Sequence, residues 1–386
     1  MQWLKLEVDR LRDKGLYRRL RVFRTGQVPH AIVDGKEVLL LSSNNYLGLS
    51  EHPLVKKGAV GAVEAYGTGS GGSRLTTGTS ELYASLEDAL ADFKRTERSL
   101  VFSTGYMANL ACLTSLVGQG DVIFSDELNH ASIVDGCKLS RAETRVYRHR
   151  DTEHLRDLLR NLRGNGRRLI VTDGVFSMDG DLAPLPEIVE LGEEFDARVM
   201  VDDAHATGIF GERRSGTPEH FGVHDKIDVH VGTLSKAIGS IGGYVAGSSL
   251  LIEYLVNTAR SFIFTTALPP PAIGAALAAI SVIRVENPAV KLWKNVGDYT
   301  ALLKEGGLDV SSESQIIPIM IGGTDNTCLF SDRLFEQGVY ASAIRPPSVP
   351  ANMGRIRTAL MATHTSEDVH TAAGVILEVA GERGLL

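Results

Sequence analysis

Short apolar runs rich in β-branched residues recur through the middle of this chain, at 99–102, 121–124, 169–172, 199–201 and 229–231, each followed by a stretch of helical periodicity. Runs of this length suit buried strands, and strands separated by helices pair in parallel because the chain must cross over one face of the sheet to return. The pattern predicts an α/β fold whose mostly parallel sheet is covered by helices on both faces. Between the third and fourth runs, Pro184 and Pro186 stand at the start of the helical pattern IVELGEEF and mark a right-handed crossover. After Arg284 the alternation weakens, and a smaller α+β domain is expected, with strands at 316–321, 339–341 and 355–358 and a last helix at 366–380. The expected division is an N-terminal helix and strand segment at 1–40, a large domain at 41–284 and a small C-terminal domain at 285–386. Within the first part, residues 1–24 read as a surface helix with an apolar stripe, and 38–41 as a short strand after a turn at Asp34-Gly35. Residues 68–78, TGSGGSRLTTG, are too rich in Gly, Ser and Thr for a regular element, and 80–94 resumes a helical pattern.

A length of 386 residues accommodates two or three domains and a large core. The net charge of −7 supplies no positive field to gather nucleic-acid phosphates, so no nucleic-acid partner is expected. Three scattered cysteines, Cys112, Cys137 and Cys328, form neither a disulfide framework nor a metal-binding pair, so no metal is expected and a reducing cytoplasm fits. The first residues, MQWLKLEVDRLRDKG, carry charges through every apolar run and offer no secretion or lipidation signal. Residues 261–283 hold no charge and reach the length of a membrane span, but Pro269, Pro270 and Pro271 interrupt them. The expectation is one buried helix at 272–283 and no membrane.

Ligands of open parallel sheets collect beyond the carboxyl ends of the strands, so the polar residues after each run are the first candidates. LIVTDGVFSMDGD delivers Asp173 and Ser177; VMVDDAHATG delivers Asp202, Asp203 and His205; VHVGTLSKAIGSIGG delivers Thr233, Ser235 and Lys236. Any one of these alone reads equally well as a strand-to-helix loop with ordinary capping residues. A lysine at the end of a buried strand, followed by small residues, should have a depressed pKa and act as a nucleophilic amine. Such an amine forms a Schiff base with an aldehyde, and pyridoxal 5′-phosphate (PLP) is the aldehyde cofactor that suits it. That cofactor needs a carboxylate at its pyridine nitrogen, for which Asp202 is the candidate, and donors to its phenolic oxygen, which His205 and Ser177 can supply. His130, in SDELNHASIVDG, offers a flat face for the ring, and Gly105 and Tyr106, in STGYMANLACL, open a helix whose N-terminus suits a phosphate.

SNNYLGLS, GTGSGGSRLTTG, STGYMAN, NHAS, TDGVFSMDGD, VDDAHATG, TLSKA, TTALPPP and IRPPSVP, with RIR and HT behind it, together run nearly the whole chain. This set resembles the α-oxoamine synthase family of fold-type I PLP-dependent enzymes. The resemblance implies Lys236 as the Schiff-base lysine, Asp202 at the pyridine nitrogen, His130 stacked on the ring, and Ser177, His205 and Thr233 around the ring and phosphate. It implies Gly105 and Tyr106 at the phosphate, with Thr266 reaching it from the neighbouring subunit of a homodimer. It further implies Arg357 and Asn44 at the amino-acid carboxylate, and Arg18 and Ser348 near an acyl substrate. The expected reaction is a decarboxylative condensation of L-alanine with a pimeloyl thioester of CoA or an acyl carrier protein. The alternative within the family uses glycine and acetyl-CoA. Two positions depart from the family pattern: Thr207, after the histidine of VDDAHATG, and the turn Ala351-Asn352-Met353-Gly354, where a shorter glycine turn is usual. A rival from another class is an NAD-dependent oxidoreductase, because Gly67, Gly69 and Gly72 satisfy GxGxxG. A helical pattern and no strand precedes those glycines, which argues against it.

Overall fold

Asp34 and Gly35 both take positive φ, 51° and 85°, the geometry of a two-residue hairpin turn whose twist matches its strands. The computed structural model, which describes residues 1–386, accordingly pairs strand β1 (His30–Val33) antiparallel with β2 (Lys36–Leu40). The chain divides into two compact units. One consists of Leu49–Ser177 and Asp181–Ala289; the other consists of Met1–Gly48, Met178–Gly180 and Val290–Leu386.

The first unit is built on a seven-stranded sheet of β3 (Arg98–Phe102), β4 (Val122–Asp126), β5 (Glu143–Tyr147), β6 (Arg168–Asp173), β7 (Arg198–Asp202), β8 (Val229–Thr233) and β9 (Gly243–Gly247). Their order is β3-β9-β8-β7-β6-β4-β5, and β9 alone runs antiparallel to its neighbours. Alternate residues bury against opposite layers, as a pleated strand requires. Leu169, Val171 and Met200 pack under the helices that include Gly105–Leu116 and Ala131–Ser140, while Ile170, Val199 and Val201 pack with residues of Thr152–Arg160 and Leu185–Glu194. The five predicted strands are present. The other two were not anticipated, for different reasons: β5, ETRVY, is an edge strand with mostly uncovered side chains, and β9, GYVAG, is glycine-rich. The glycine is needed, since a Cβ on Gly243 would collide with the backbone of Gly105.

The prolines break the uncharged segment as expected, separating helix Arg260–Ile263 from the apolar helix that begins at them. Pro269 is the N-cap of Pro270–Glu286, where missing N–H groups cost nothing, so the helix starts earlier than expected and buries Ile273, Ala276, Ile280 and Ile283. No single helix of the chain is long and apolar enough to cross a membrane.

In the second unit, β10 (Ile316–Gly322) and β12 (Ser342–Ile344) flank β13 (Gly354–Ala359) in an antiparallel sheet, and β11 (Val339–Tyr340) adds in parallel to β2. This parallel pairing, with His30 Nε2 2.8 Å from Asp368 Oδ1, makes residues 1–48 part of one body with the C-terminal segment, so the separate segment expected at 1–40 does not stand alone. The boundary expected at 284 falls inside a helix, and the observed one follows Ala289. The N-terminal helix is also shorter than expected. It spans Gln2–Asp13 and buries none of its residues, leaving Trp3 62% exposed, so the anticipated apolar stripe faces solvent.

Candidate active site

The carboxyl ends of β4, β6, β7 and β8 deliver Asp126, Asp173, Asp202 and Thr233 to one rim of the large sheet. Asp173 and Asp202 are register partners on adjacent strands, and both carboxyls are buried. Asp202 is held from two sides, its Oδ2 accepting from Asn109 Nδ2 at 2.6 Å and its Oδ1 from the Ala204 N–H at 2.9 Å. Asp173 accepts from the His130 N–H at 2.9 Å. Burial, and then the charge of Asp202, raise its pKa well above the usual carboxylate range, so Asp173 tends to keep its proton.

His130 is the N-cap of helix Ala131–Ser140, with Nδ1 2.7 Å from Ser132 Oγ and accepting from the Ser132 N–H. Loss of hydration lowers its pKa; Asp202 opposes that and Lys236 reinforces it. The neutral ring is favoured at neutral pH. Lys236 follows β8 in a half-buried position, and its Nζ lies 2.8 Å from His205 Nε2. Thr233 donates its hydroxyl to the Gly242 carbonyl and accepts from the Ser235 N–H, which shapes the turn that carries Lys236.

Gly105 and Tyr106 open helix Gly105–Leu116, capped by Thr104 Oγ1 accepting from the Met107 N–H at 3.1 Å. Their own N–H groups belong to the first turn and have no intrahelical acceptor, which is the property an anion site requires. The Tyr106 hydroxyl, however, donates to Asp135, so this residue offers its backbone and not its side-chain oxygen. Ser177 lies on the loop between β6 and helix Leu185–Glu194, whose limbs are joined by the Val175–Leu182 bridge. Thr266 is exposed, and its carbonyl accepts from Ser103 Oγ at 2.8 Å.

A charged clamp holds the Ser177 loop. His149 contacts Asp126 Oδ1 through Nδ1 and Asp181 Oδ2 through Nε2, each at 2.9 Å, while Asp181 receives the Phe176 N–H on its carbonyl. Burial alone would lower the His149 pKa, but the two carboxylates outweigh it and raise it to about 9. A folded-state value above the unfolded 6.5 stabilises fully below pH 6.5, and the contribution is lost as pH rises through 9. Because solvent reaches the ring and screens the pair, its size is on the order of 1 kcal/mol. Urea denaturation at pH 7 and pH 10 should therefore show an alkaline loss of stability that His149→Phe lacks. Equal losses in both proteins would refute the clamp.

In the other unit, Arg357 on β13 donates from Nη2 to Asn44 Oδ1 at 3.2 Å and to the Tyr46 hydroxyl at 3.1 Å. These residues form a buried guanidinium with a polar cradle, competent to receive a carboxylate. Arg18 and Ser348 are exposed, and the Ser348 N–H donates to the Arg345 carbonyl. The unusual turn 351–354 places Asn352 at φ 61°, a conformation asparagine tolerates, and leads directly into β13. Sequence reasoning did not single out Asn109 or Asn129. Asn129 donates to the Val171 carbonyl and to Ser125 Oγ and accepts from the Asp173 N–H, tying the His130 loop to β6. A carboxamide inside helix Gly105–Leu116, where the apolar pattern would place a core residue, was the available signal for Asn109.

A family model for aminotransferase class I and II matches residues 36–376. The chain is 50% identical to the 8-amino-7-oxononanoate synthase of Citrifermentans bemidjiense over 100% of both chains, and 51% identical to that of Geobacter metallireducens over 98% of each. It superposes with a TM-score of 0.94 on a serine palmitoyltransferase variant from S. paucimobilis described with a bound PLP–myriocin aldimine, at 33% identity over 99% of this chain and 98% of that one. The sheet is that of the fold-type I PLP-dependent enzymes. With that architecture and similarity along the whole chain, the protein belongs to the aminotransferase class I and II family and, within it, to the family of the 8-amino-7-oxononanoate synthases.

Proposed function

We propose that this protein is a PLP-dependent acyltransferase of biotin biosynthesis that condenses L-alanine with a pimeloyl thioester, giving 8-amino-7-oxononanoate, carbon dioxide and the free thiol. The observation that carries this reading is the half-buried Lys236 amine, 2.8 Å from His205 Nε2, following a sheet rim that also holds the buried Asp202 carboxylate. The residues fit the cofactor: an amine, a fixed carboxylate, a neutral imidazole and the first-turn N–H groups of a helix are what an aldehyde, a pyridine nitrogen, a ring face and a phosphate require. When bound, PLP supplies a covalent anchor for the amino acid and withdraws electrons from its α-carbon.

The chain's own groups have separable tasks. Asp202, immobilised by Asn109 and Ala204, holds a negative charge at a fixed point. Lys236 Nζ takes the α-proton of alanine and later returns one to the product, and His205 Nε2 orients that amine. His130 shields one face from water and donates to the developing oxyanion at the thioester carbonyl. The first-turn N–H groups of Gly105 and Tyr106 hold the phosphate. Arg357 with Asn44 receives the alanine carboxylate, and Arg18 and Ser348 serve the acyl chain. Thr266 completes the phosphate site of the other subunit in a C2 homodimer, its exposed position leaving it free to do so. A cytoplasmic location belongs to the same proposal, since the three cysteines are free thiols.

The test supplies purified holo-protein with L-alanine and pimeloyl-CoA, or pimeloyl carrier protein, and follows product mass and carbon dioxide release. Equal amounts of 8-amino-7-oxononanoate and carbon dioxide are expected. Faster turnover of glycine with acetyl-CoA would favour the alternative condensation, and nicotinamide-dependent oxidation without either product would sink both. Light scattering alongside turnover addresses assembly: a fully active monomer of 41.6 kDa would refute the shared site.

A further inference from the structure

Asp203 directly follows Asp202, and the two side chains leave the strand end toward different partners. Asp202 meets Asn109, whereas Asp203 pairs with Lys94 at 2.8 Å, with side chains only 1% and 2% exposed. Lys94 closes helix Glu81–Lys94, and its Nζ also donates to the Ser215 carbonyl. The other carboxylate oxygen of Asp203 accepts from the hydroxyl and the N–H of Thr217. Space is reserved for this arrangement. A Cβ on Gly216 would run into the Asp203 carboxylate, and one on Gly232 would run into the Tyr244 hydroxyl.

The main chain of Asp203 is equally committed. Its N–H donates to the Val231 carbonyl on β8, and its carbonyl accepts from the N–H groups of Ala206 and Thr207, each at 2.9 Å, forming the turn that carries His205. Thr207, a departure from the family pattern in sequence, gains a task here. Its hydroxyl lies 3.1 Å from the Asp203 carbonyl and 2.7 Å from the buried Tyr244 hydroxyl. One residue thereby anchors both the strand end bearing Asp202 and the turn bearing His205.

We propose that the buried Lys94–Asp203 pair, with Thr207, Thr217 and Tyr244, is a positioning network that fixes where Asp202 and His205 stand. The inference rests on the PLP-dependent reading of that site. None of these five side chains is assigned to substrate or cofactor, so they act through the residues they hold. Stability alone is a weak reason for such a pair, because a buried ion pair repays its desolvation poorly and apolar replacements are often as stable. Its geometry, by contrast, is of the fixed kind that supporting residues need, since small displacements of reacting groups are costly.

The decisive variants are Tyr244→Phe, which removes one hydroxyl, and the double change Lys94→Met with Asp203→Asn, which removes both charges while leaving an oxygen for Thr217. Amide hydrogen exchange on the cofactor-free proteins, cofactor affinity, the pH midpoint of the bound cofactor's visible band, and kcat against KM for L-alanine are compared with the wild type. Both variants should melt near the wild-type temperature yet exchange faster at residues 204–207 and not along β4. Both should shift the pH midpoint and lose roughly tenfold in kcat with little change in KM. Wild-type exchange at 204–207, or a double variant with wild-type kcat and pH midpoint, would overturn the proposal. A wild-type protein that takes up no PLP would instead defeat the functional reading, and the exchange experiment would still decide the network.

Discussion

Lys236→Ala protein should fold, and it should release no carbon dioxide from L-alanine and pimeloyl-CoA above background. The side chain is half-buried and belongs to no apolar core cluster, so its loss should cost about 1 kcal/mol of stability or less. No second amine can substitute. Lys94 is the other lysine committed to this end of the sheet, and Asp203 and Ser215 hold it on their own side. Removal of both the anchoring amine and the proton carrier should lower kcat by at least about 10³-fold, beyond the range of a lost general base alone. Reduction of the holo-proteins with tritiated borohydride followed by peptide mapping provides the check. The wild type should carry label on Lys236, and label retained on any lysine of the variant would reject the assignment.

Asp202→Asn is expected to separate folding from chemistry. The side chains are isosteric, and the new carboxamide can still accept from Ala204 through its oxygen. Its NH₂ would face that of Asn109, a clash relieved by turning the Asn109 amide, whose oxygen is otherwise buried without a donor. The melting temperature of the cofactor-free protein should therefore change little. Loss of the fixed charge should reduce kcat by roughly 10² to 10³-fold, and α-deuterium exchange of alanine should fall in parallel. Two neighbours should respond as well: the Asp173 carboxyl should lose part of its upward shift, and the His130 pKa should drop further, because Asp202 raises both. Wild-type deuterium exchange in this variant would remove Asp202 from the mechanism.

Local chemistry made much of this protein legible before any coordinates. Strands β6, β7 and β8 announce themselves by apolar runs and end on polar residues, so the sequence itself points to Asp173, Asp202, Thr233 and, just beyond, Lys236, whereas Asp126 at the end of β4 carries no such signal. The hairpin at Asp34-Gly35 follows from the same local logic, because few residues besides asparagine, aspartate and glycine accept positive φ. Where an element owes its existence to neighbours, the signal fades. β5 is charged because it lies at an edge, and β9 is glycine-rich because Gly105 approaches it, so neither carries a strand's usual pattern.

Sequence by itself therefore determined the alternating architecture, the strand-end positions of Lys236 and Asp202, the loop that offers His130 and the helix start at Gly105. Tertiary structure alone decided which groups hold them. Asn109 reaches Asp202 across 93 positions, and Lys94 reaches Asp203 across 109. It also joined the first 48 residues to the C-terminal segment through β2 and β11, and turned the Tyr106 hydroxyl away to Asp135. The reason is one of range. Backbone propensity and side-chain periodicity act over a few residues, whereas a buried carboxylate takes its partner from whatever the packed helices bring within 3 Å, at a sequence separation that no local pattern encodes.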